Sequence, residues 1–347
     1  MRRRVVGALL GGAVLLLGGG VLVAQRVGGE AAPEVPLDIA LTGDVRTHDP
    51  ALVIDPEGSW WVFSTGDASQ GGGAIQVRSS SDGHAWTYRG EIAPEERPEW
   101  IAEVVPQATN LWAPELHEHD GTWYLYYAAS SFGSNRSAIG LMTSDSLDPD
   151  SNWVDGGRVI VSEPGLDDWN AIDPAVVEDA EGNPWLAFGS FWGGIQMIEL
   201  SWPSGLPVEG AAPTTIAARG TPPNAIEAAS FVQHDGWTYL LVSKDLCCRA
   251  LASSYHVVVG RSREVTGPYL DAAGRPLLED GGTALLTAVG DMVGPGGQSV
   301  ADGYLAFHFY DVRLSGDFRL GVRRLGWVDG WPVADTGAAP AHFVPQG

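Results

Sequence analysis

One stretch of this chain, Thr47-His48-Asp49-Pro50-Ala51-Leu52-Val53-Ile54-Asp55, is echoed four more times, and that recurrence limits the fold more than any other feature. The echoes are Trp112-Ala113-Pro114-Glu115-Leu116, Ala171-Ile172-Asp173-Pro174-Ala175-Val176-Val177, Ala225-Ile226-Glu227-Ala228-Ala229 and Gly294-Pro295-Gly296-Gly297-Gln298-Ser299-Val300. After each comes a polar turn with a glycine and then an aromatic strand, as in Gly58-Ser59-Trp60-Trp61-Val62-Phe63 and Gly121-Thr122-Trp123-Tyr124-Leu125-Tyr126. The echoes lie roughly 55 to 65 residues apart, a period that marks radial or solenoid repeats. From Leu37 onward apolar residues alternate or run in short bursts between Gly, Asp, Pro and Ser, and no amphipathic helix of convincing length interrupts them. Four short antiparallel strands per repeat describe a propeller blade. Five repeats therefore predict an all-β, five-bladed β-propeller. The lead position of each repeat starts the innermost strand and faces a central channel on one face. A parallel β-helix is the competing repeat fold, but its turns are shorter than these units.

At 347 residues and 44% hydrophobic, the chain can bury a full-sized core as one large β domain or two smaller ones. A formal net charge of -23 argues against nucleic acid, which demands clustered Lys and Arg, and disfavours polyanionic substrates. Neutral polymers stay open. The two cysteines are adjacent, Cys247-Cys248, which excludes a disulfide framework and zinc spacing and leaves either a vicinal disulfide or two thiols. Arg2-Arg3-Arg4 followed by an apolar run from Val5 to Ala24 has the form of an export signal. Residues 1–27 are thus expected to be a cleaved signal peptide or an N-terminal membrane anchor. Residues 28–36 are then a linker, and 37–347 the propeller. Either form exports the chain, to be secreted or tethered to the outer side of the membrane, and a monomer is expected.

Only three repeats carry an acid at the head: Asp49, Asp173 and Glu227. The propeller arrangement brings them together in space. Acids sharing a cleft repel one another, so one is held protonated near neutral pH while another stays a base. Glycosidic bond cleavage requires that split: an acid to protonate the leaving oxygen and a carboxylate on the opposite side of the sugar. Taken singly, an Asp before Pro is common in turns, and Glu227 among alanines has the look of a surface acid. Recurrence at one place in three repeats lifts the set above those alternatives.

Several ordered segments carry a resemblance. They are Leu111-Trp112-Ala113-Pro114-Glu115, Tyr124-Leu125-Tyr126-Tyr127 through Ser131-Phe132-Gly133-Ser134-Asn135-Arg136, Asn170-Ala171-Ile172-Asp173-Pro174, Gly189-Ser190-Phe191-Trp192-Gly193-Gly194, Ile226-Glu227-Ala228 and Cys247-Cys248-Arg249. Together with Val259-Gly260-Arg261-Ser262 they resemble the glycoside hydrolase family 43 arabinanases, over about Thr42 to Asp311. The resemblance implies a five-bladed propeller that hydrolyses α-1,5-linked arabinan with inversion, usually in an endo fashion. Position by position, it makes Asp49 the general base, Glu227 the general acid and Asp173 the group that tunes and orients Glu227. Trp112 and Phe132 match aromatic positions that contact the sugar chain. Asn170, Ser190 and Trp192 flank the same face as polar or stacking contacts, or serve turns. No cofactor is needed for the chemistry.

The resemblance also implies a structural calcium on the propeller axis, held by a His in a Gly-Pro-Gly-His segment. This chain has Gly294-Pro295-Gly296-Gly297-Gln298 instead, which puts the metal in doubt and leaves His308 as the remaining candidate ligand. Glu115 stands where the family usually has Asp. An exo-acting arabinofuranosidase or β-xylosidase on the same scaffold is the nearest rival, and a non-catalytic sugar-binding propeller is a more distant one. The inverting reading predicts about 6.5 to 9.5 Å between the Asp49 and Glu227 carboxyl groups.

Overall fold

Short apolar bursts between glycine- and aspartate-rich turns fold into five blades that follow one another along the chain, with a separate two-stranded hairpin at Gly326–Val328 and Trp331–Val333. The structure is a computed structural model that describes residues 40–69, 71–92 and 98–334. The expected signal or anchor at 1–27 and the linker at 28–36 lie outside the described residues.

Blade 1 consists of Ala51–Ile54, Trp60–Ser64, Ile75–Ser80 and Ala85–Ile92, with Thr42–Gly43 added in parallel at its outer edge. Blade 2 is Leu111–His119, Thr122–Ala129, Ser137–Ser144 and Val154–Ser162. Blade 3 is Ala175–Glu178, Pro184–Phe188 and Ile195–Ser201, edged by Leu206–Pro207 and Thr214–Ala217. Blade 4 is Ile226–His234, Trp237–Lys244, His256–Ser262 and Thr283–Leu286, and blade 5 is Met292–Ala301, Tyr304–Asp311 and Asp317–Arg324. Blade 5 has three strands where four are expected. Among the described residues the only α-helix is the single short one at Glu99–Val104.

Alternation along each strand gives a blade two apolar faces, and each face is buried against a neighbouring blade. Five apolar clusters result, one at each seam. Phe63, Ile75 and Val77 meet Leu125 and Tyr127 between blades 1 and 2. Tyr126 and Leu141 meet Leu186 and Phe188 between blades 2 and 3, and Ile195 and Met197 meet Leu240 and Val242 between blades 3 and 4. Leu241 and Val259 meet Leu305 and Phe307 between blades 4 and 5.

The fifth seam closes the circle. There Leu52 and Val62 of blade 1 pack with Ala306, Leu320 and Val322 of blade 5, and Val45 joins them. The Leu320 N–H donates to the Val45 carbonyl at 2.8 Å, so the segment leading into blade 1 also borders blade 5.

The structure shifts the repeat register in one place. Each blade enters its innermost strand through one residue in the left-handed region: Asp49 (φ 49°), Ala113 (φ 42°), Asp173 (φ 56°), Ala228 (φ 51°) and Gly297 (φ 56°). Asp49 and Asp173 therefore hold the same position in their blades, whereas Glu227 stands one residue earlier in its own. Its true equivalents are His48, Trp112, Ile172 and Gly296. The sequence echo aligned Ala-Ile-Glu with Ala-Ile-Asp, but an alanine at the left-handed position carries no signal of its own.

Candidate active site

The five left-handed residues surround a cavity of about 30 Å³ on the propeller axis, lined by Asp49, Asp173, Glu115, Ala228, Gly297 and Gln298 among others. That is room for about two water molecules. Successive residues of a strand point opposite ways, so the lead position and the one before it present two kinds of side chain at the mouth of the axis.

On the blade 1 side, Asp49 is surrounded by donors. Its Oδ2 accepts from Thr65 Oγ1 at 2.7 Å and lies 2.8 Å from His48 Nδ1. Thr65 Oγ1 in turn accepts from the Ala113 N–H at 2.9 Å, which ties the group to blade 2. The His308 ring stacks on that of His48 at 3.6 Å, and its Nδ1 accepts the Asp49 N–H at 3.2 Å and sits 3.4 Å from Oδ1. Burial acts to raise the Asp49 pKa, but His48 and His308 outweigh it and hold the carboxyl well below the usual range. Burial, helped by the neighbouring His48, pushes His308 down to about 4.

Across the axis, the trend reverses. Burial pushes Glu227 up, with the charge of Asp49 adding to it, against hydrogen bonds from Ser190 and Tyr255. Ser190 Oγ donates to Glu227 Oε2 at 2.5 Å. Asp173 Oδ2 accepts the Ala228 N–H at 3.0 Å, and burial plus the charges of Glu227 and Asp49 raise it well above the carboxylate range. Tyr255 reaches Glu227 because blade 5 has Gly296 in its path: a Cβ there would fall 2.3 Å from the Tyr255 ring. Gln298 locks blades 4 and 5 together, donating to the Ala228 carbonyl at 2.6 Å and accepting from Ser243 Oγ at 2.7 Å.

Aromatic side chains frame the mouth. Trp112 and Phe132 lie 5.5 Å apart at 57°, and Phe132 is 81% exposed. Trp192 is also exposed, on a loop whose carbonyl accepts from Asn224 Nδ2 at 2.7 Å. Two of the residues expected to contact sugar have other partners. Asn170 is buried, and its Oδ1 accepts from Ser137 Oγ at 2.6 Å, which places it inside the wall. Ser190 is buried too, and its hydroxyl is engaged by Glu227.

The axial calcium that the resemblance implies, and that Gly297-Gln298 puts in doubt, meets an unsuitable donor set. His48, Asp49 and His308 bring three potential ligand atoms within 4.8 Å of one another, two of them imidazole nitrogens. Calcium takes six to eight oxygens, and the Nδ1 lone pair of His308 is already engaged by the Asp49 N–H. These residues do not make a calcium cage, and no step of the chemistry is routed through a metal. Nor could Gly297 be replaced by His in this backbone. A Cβ there would lie 2.5 Å from Asp49 Oδ1 and 2.7 Å from the His308 ring, so His308, from the adjacent strand, occupies that space.

Sequence reasoning passed over His48, Thr65, Tyr255 and Tyr310. His48 had a signal, since it adjoins a lead acid. The others come from second strands or loops, where nothing in the repeat marks them. The adjacent cysteines form a vicinal disulfide beside this cluster.

Comparison with known proteins gives consistent matches. A family model described as glycosyl hydrolases family 43 matches residues 42–332. An extracellular endo-α-(1→5)-L-arabinanase of Bacillus subtilis is 41% identical over 286 residues, 82% of this chain and 86% of that protein. An extracellular exo-α-(1→5)-L-arabinofuranosidase of Cellvibrio japonicus is 38% identical over 311 residues, 84% of this chain and 87% of that protein. The solved endo-arabinanase of Bacillus licheniformis superposes with a TM-score of 0.79 at 38% identity, covering 85% of this chain and 99% of that one.

Proposed function

The chain belongs to glycosyl hydrolases family 43, and from that premise we propose that it is an inverting arabinanase that cuts internal α-1,5-L-arabinofuranosidic bonds. The observation that carries the assignment of roles is the opposite shift of two carboxyl groups on either side of one axis, Asp49 downward and Glu227 upward.

Asp49 stays ionised and is the general base. Its Oδ2 is saturated by Thr65 and His48, which leaves Oδ1 to take the proton of an attacking water. Glu227 keeps its proton to higher pH and is the general acid that delivers it to the leaving glycosidic oxygen. Water adds to the anomeric carbon from the face opposite the departing oxygen, so the configuration inverts. Asp173 shares the upward shift of Glu227 and, anchored by the Ala228 N–H, is its tuning and orienting partner. Ser190 and Tyr255 fix the Glu227 carboxyl. Trp112, Phe132 and Trp192 offer faces on which furanose rings stack. No cofactor enters.

The enzyme is exported, in keeping with the extracellular relatives, through the N-terminal segment as a cleaved signal or an anchor. Among the described residues no helix is long and apolar enough to cross a membrane. Product analysis on debranched arabinan tests the reading. Mixed oligosaccharides early in the time course are expected, and arabinose alone from the first time point would replace endo by exo action.

A further inference from the structure

Cys247 and Cys248 are the chain's only cysteines, and their disulfide sits against the residues that hold the base. Cys247 Sγ lies 3.8 Å from His48 Nε2 and 3.4 Å from the Tyr310 hydroxyl, and the exposed Cys248 places its Sγ 3.9 Å from His48 Nε2. The polar contact that matters is from the backbone. The Cys248 N–H donates to the Tyr310 oxygen at 3.0 Å, and that hydroxyl lies 3.0 Å from His48 Nε2.

The direction of this chain of bonds follows from counting protons. The Tyr310 oxygen accepts from Cys248 N–H and is also hydrogen-bonded by Ser253, so its own proton goes to His48 Nε2 at 3.0 Å, a nearer and stronger acceptor than the Cys247 sulfur at 3.4 Å. At the far end Asp49, an ionised carboxylate, can only accept, so His48 Nδ1 carries a hydrogen and donates it to Oδ2. Both ends select the same tautomer: Nδ1 protonated, Nε2 bare. The groups facing this ring are Asp49, the His308 ring stacked on it, Tyr310, the disulfide and the edge of Phe318, over which Arg46 lies at 4.2 Å.

We propose that the vicinal disulfide is a positioning device for catalysis: it holds the Cys248 N–H on Tyr310 and so fixes the His48 tautomer that donates to the base. Cys248 has φ 64°, an uncommon conformation for a non-glycine residue, and the ring closed by the S–S bond restrains it there. A dithiol reductant breaks the bond by transferring two electrons and two protons, giving two cysteine thiols while the reductant closes to its own cyclic disulfide. Cys248 is then free to relax and its N–H to leave Tyr310.

The proposal rests on Asp49 being the base, so its test reads the tautomer separately from activity. Long-range proton–nitrogen NMR of the substrate-free protein, with His48 assigned by comparison with His48→Asn, should show Nδ1 protonated and Nε2 bare. Treatment with dithiothreitol and iodoacetamide, the Cys247→Ser/Cys248→Ser double variant and Tyr310→Phe should each erase that signature. Each should also lower kcat about tenfold while KM changes less than about twofold. An Nε2-protonated His48 in the oxidised protein, an unchanged tautomer after reduction, or an unchanged kcat despite an altered tautomer would overturn the proposal. If Asp49→Ala kept its activity, the base assignment would fall, yet the response of the tautomer to reduction would still be measured.

Discussion

The two sides of the axial cavity are built from the same backbone feature and end in opposite chemistry. Asp49 and Asp173 both occupy the left-handed position of an innermost strand, both before a proline. The Asp49 carboxyl has hydrogen-bond donors in His48 and Thr65 and the His308 ring beside it, while Asp173 has one backbone donor and two carboxylates for neighbours. The fold therefore supplies placement, and the side chains around each position decide protonation. An acid and a base can coexist within one narrow axis because the donors are gathered on one side.

Substitutions can break this asymmetry or sharpen it. The largest effect is expected from removing either working group. Asp49→Ala and Glu227→Ala should each cut kcat on linear arabinan roughly 10²–10⁴-fold with an unchanged circular dichroism spectrum. Near wild-type turnover in either would sink the assignment of roles. Asp173→Asn keeps an acceptor for the Ala228 N–H but removes the carboxyl that shares the upward shift of Glu227. A loss of about 10- to 100-fold in kcat is expected.

Thr65→Val and Ser190→Ala form a matched pair, each deleting one hydroxyl donor. Losing a donor to a carboxylate raises its pKa, so Thr65→Val should move the acidic limb upward and Ser190→Ala the alkaline limb upward. Each should cost about three- to tenfold in kcat. If both moved the same limb, the two sides would not be separate. The smallest effect on turnover belongs to Glu115→Gln, about twofold or less. Glu115 Oε1 accepts the Val176 N–H at 3.1 Å, and burial raises this carboxyl from 4.5 to about 8. The folded protein therefore holds a proton that the unfolded chain releases. The stability this gives is full below about pH 4.5 and is lost as pH rises toward 8. Glu115→Gln should remove that slope, on the order of 2 kcal/mol after allowing for solvent at the cavity, and thermal melts across pH 4–9 would show it.

The blades were legible because strand patterning and glycine turns repeat with a long period, and Asp49, Asp173 and Glu227 were legible as the heads of those repeats. The one-residue offset of Glu227 was not, since a left-handed alanine has no compositional mark. Neither was the double use of Ser190, whose place near the acid depends on how blade 3 meets blade 4. His308 was visible only as an unexplained histidine. Its place beside Asp49 depends on Gly297 having no side chain, a relation between adjacent strands that no local pattern records. The adjacent cysteines allowed two states, and their place beside His48, about two hundred residues away in the chain, has no local signal.

The seam between blades 1 and 5 has a temporal consequence. Val45, which borders blade 5 through Leu320, lies four residues before Asp49, and His308 and Tyr310 reach the same site from blade 5. The proposed general base is thus assembled from the first and last blades of the chain, whereas the proposed general acid belongs to the blades between them. On the proposed roles, a molecule with the last blade undocked would carry the acid without its base, and hydrolysis is expected only once that blade docks. During mild denaturation, activity should accordingly disappear before the bulk of tryptophan fluorescence changes.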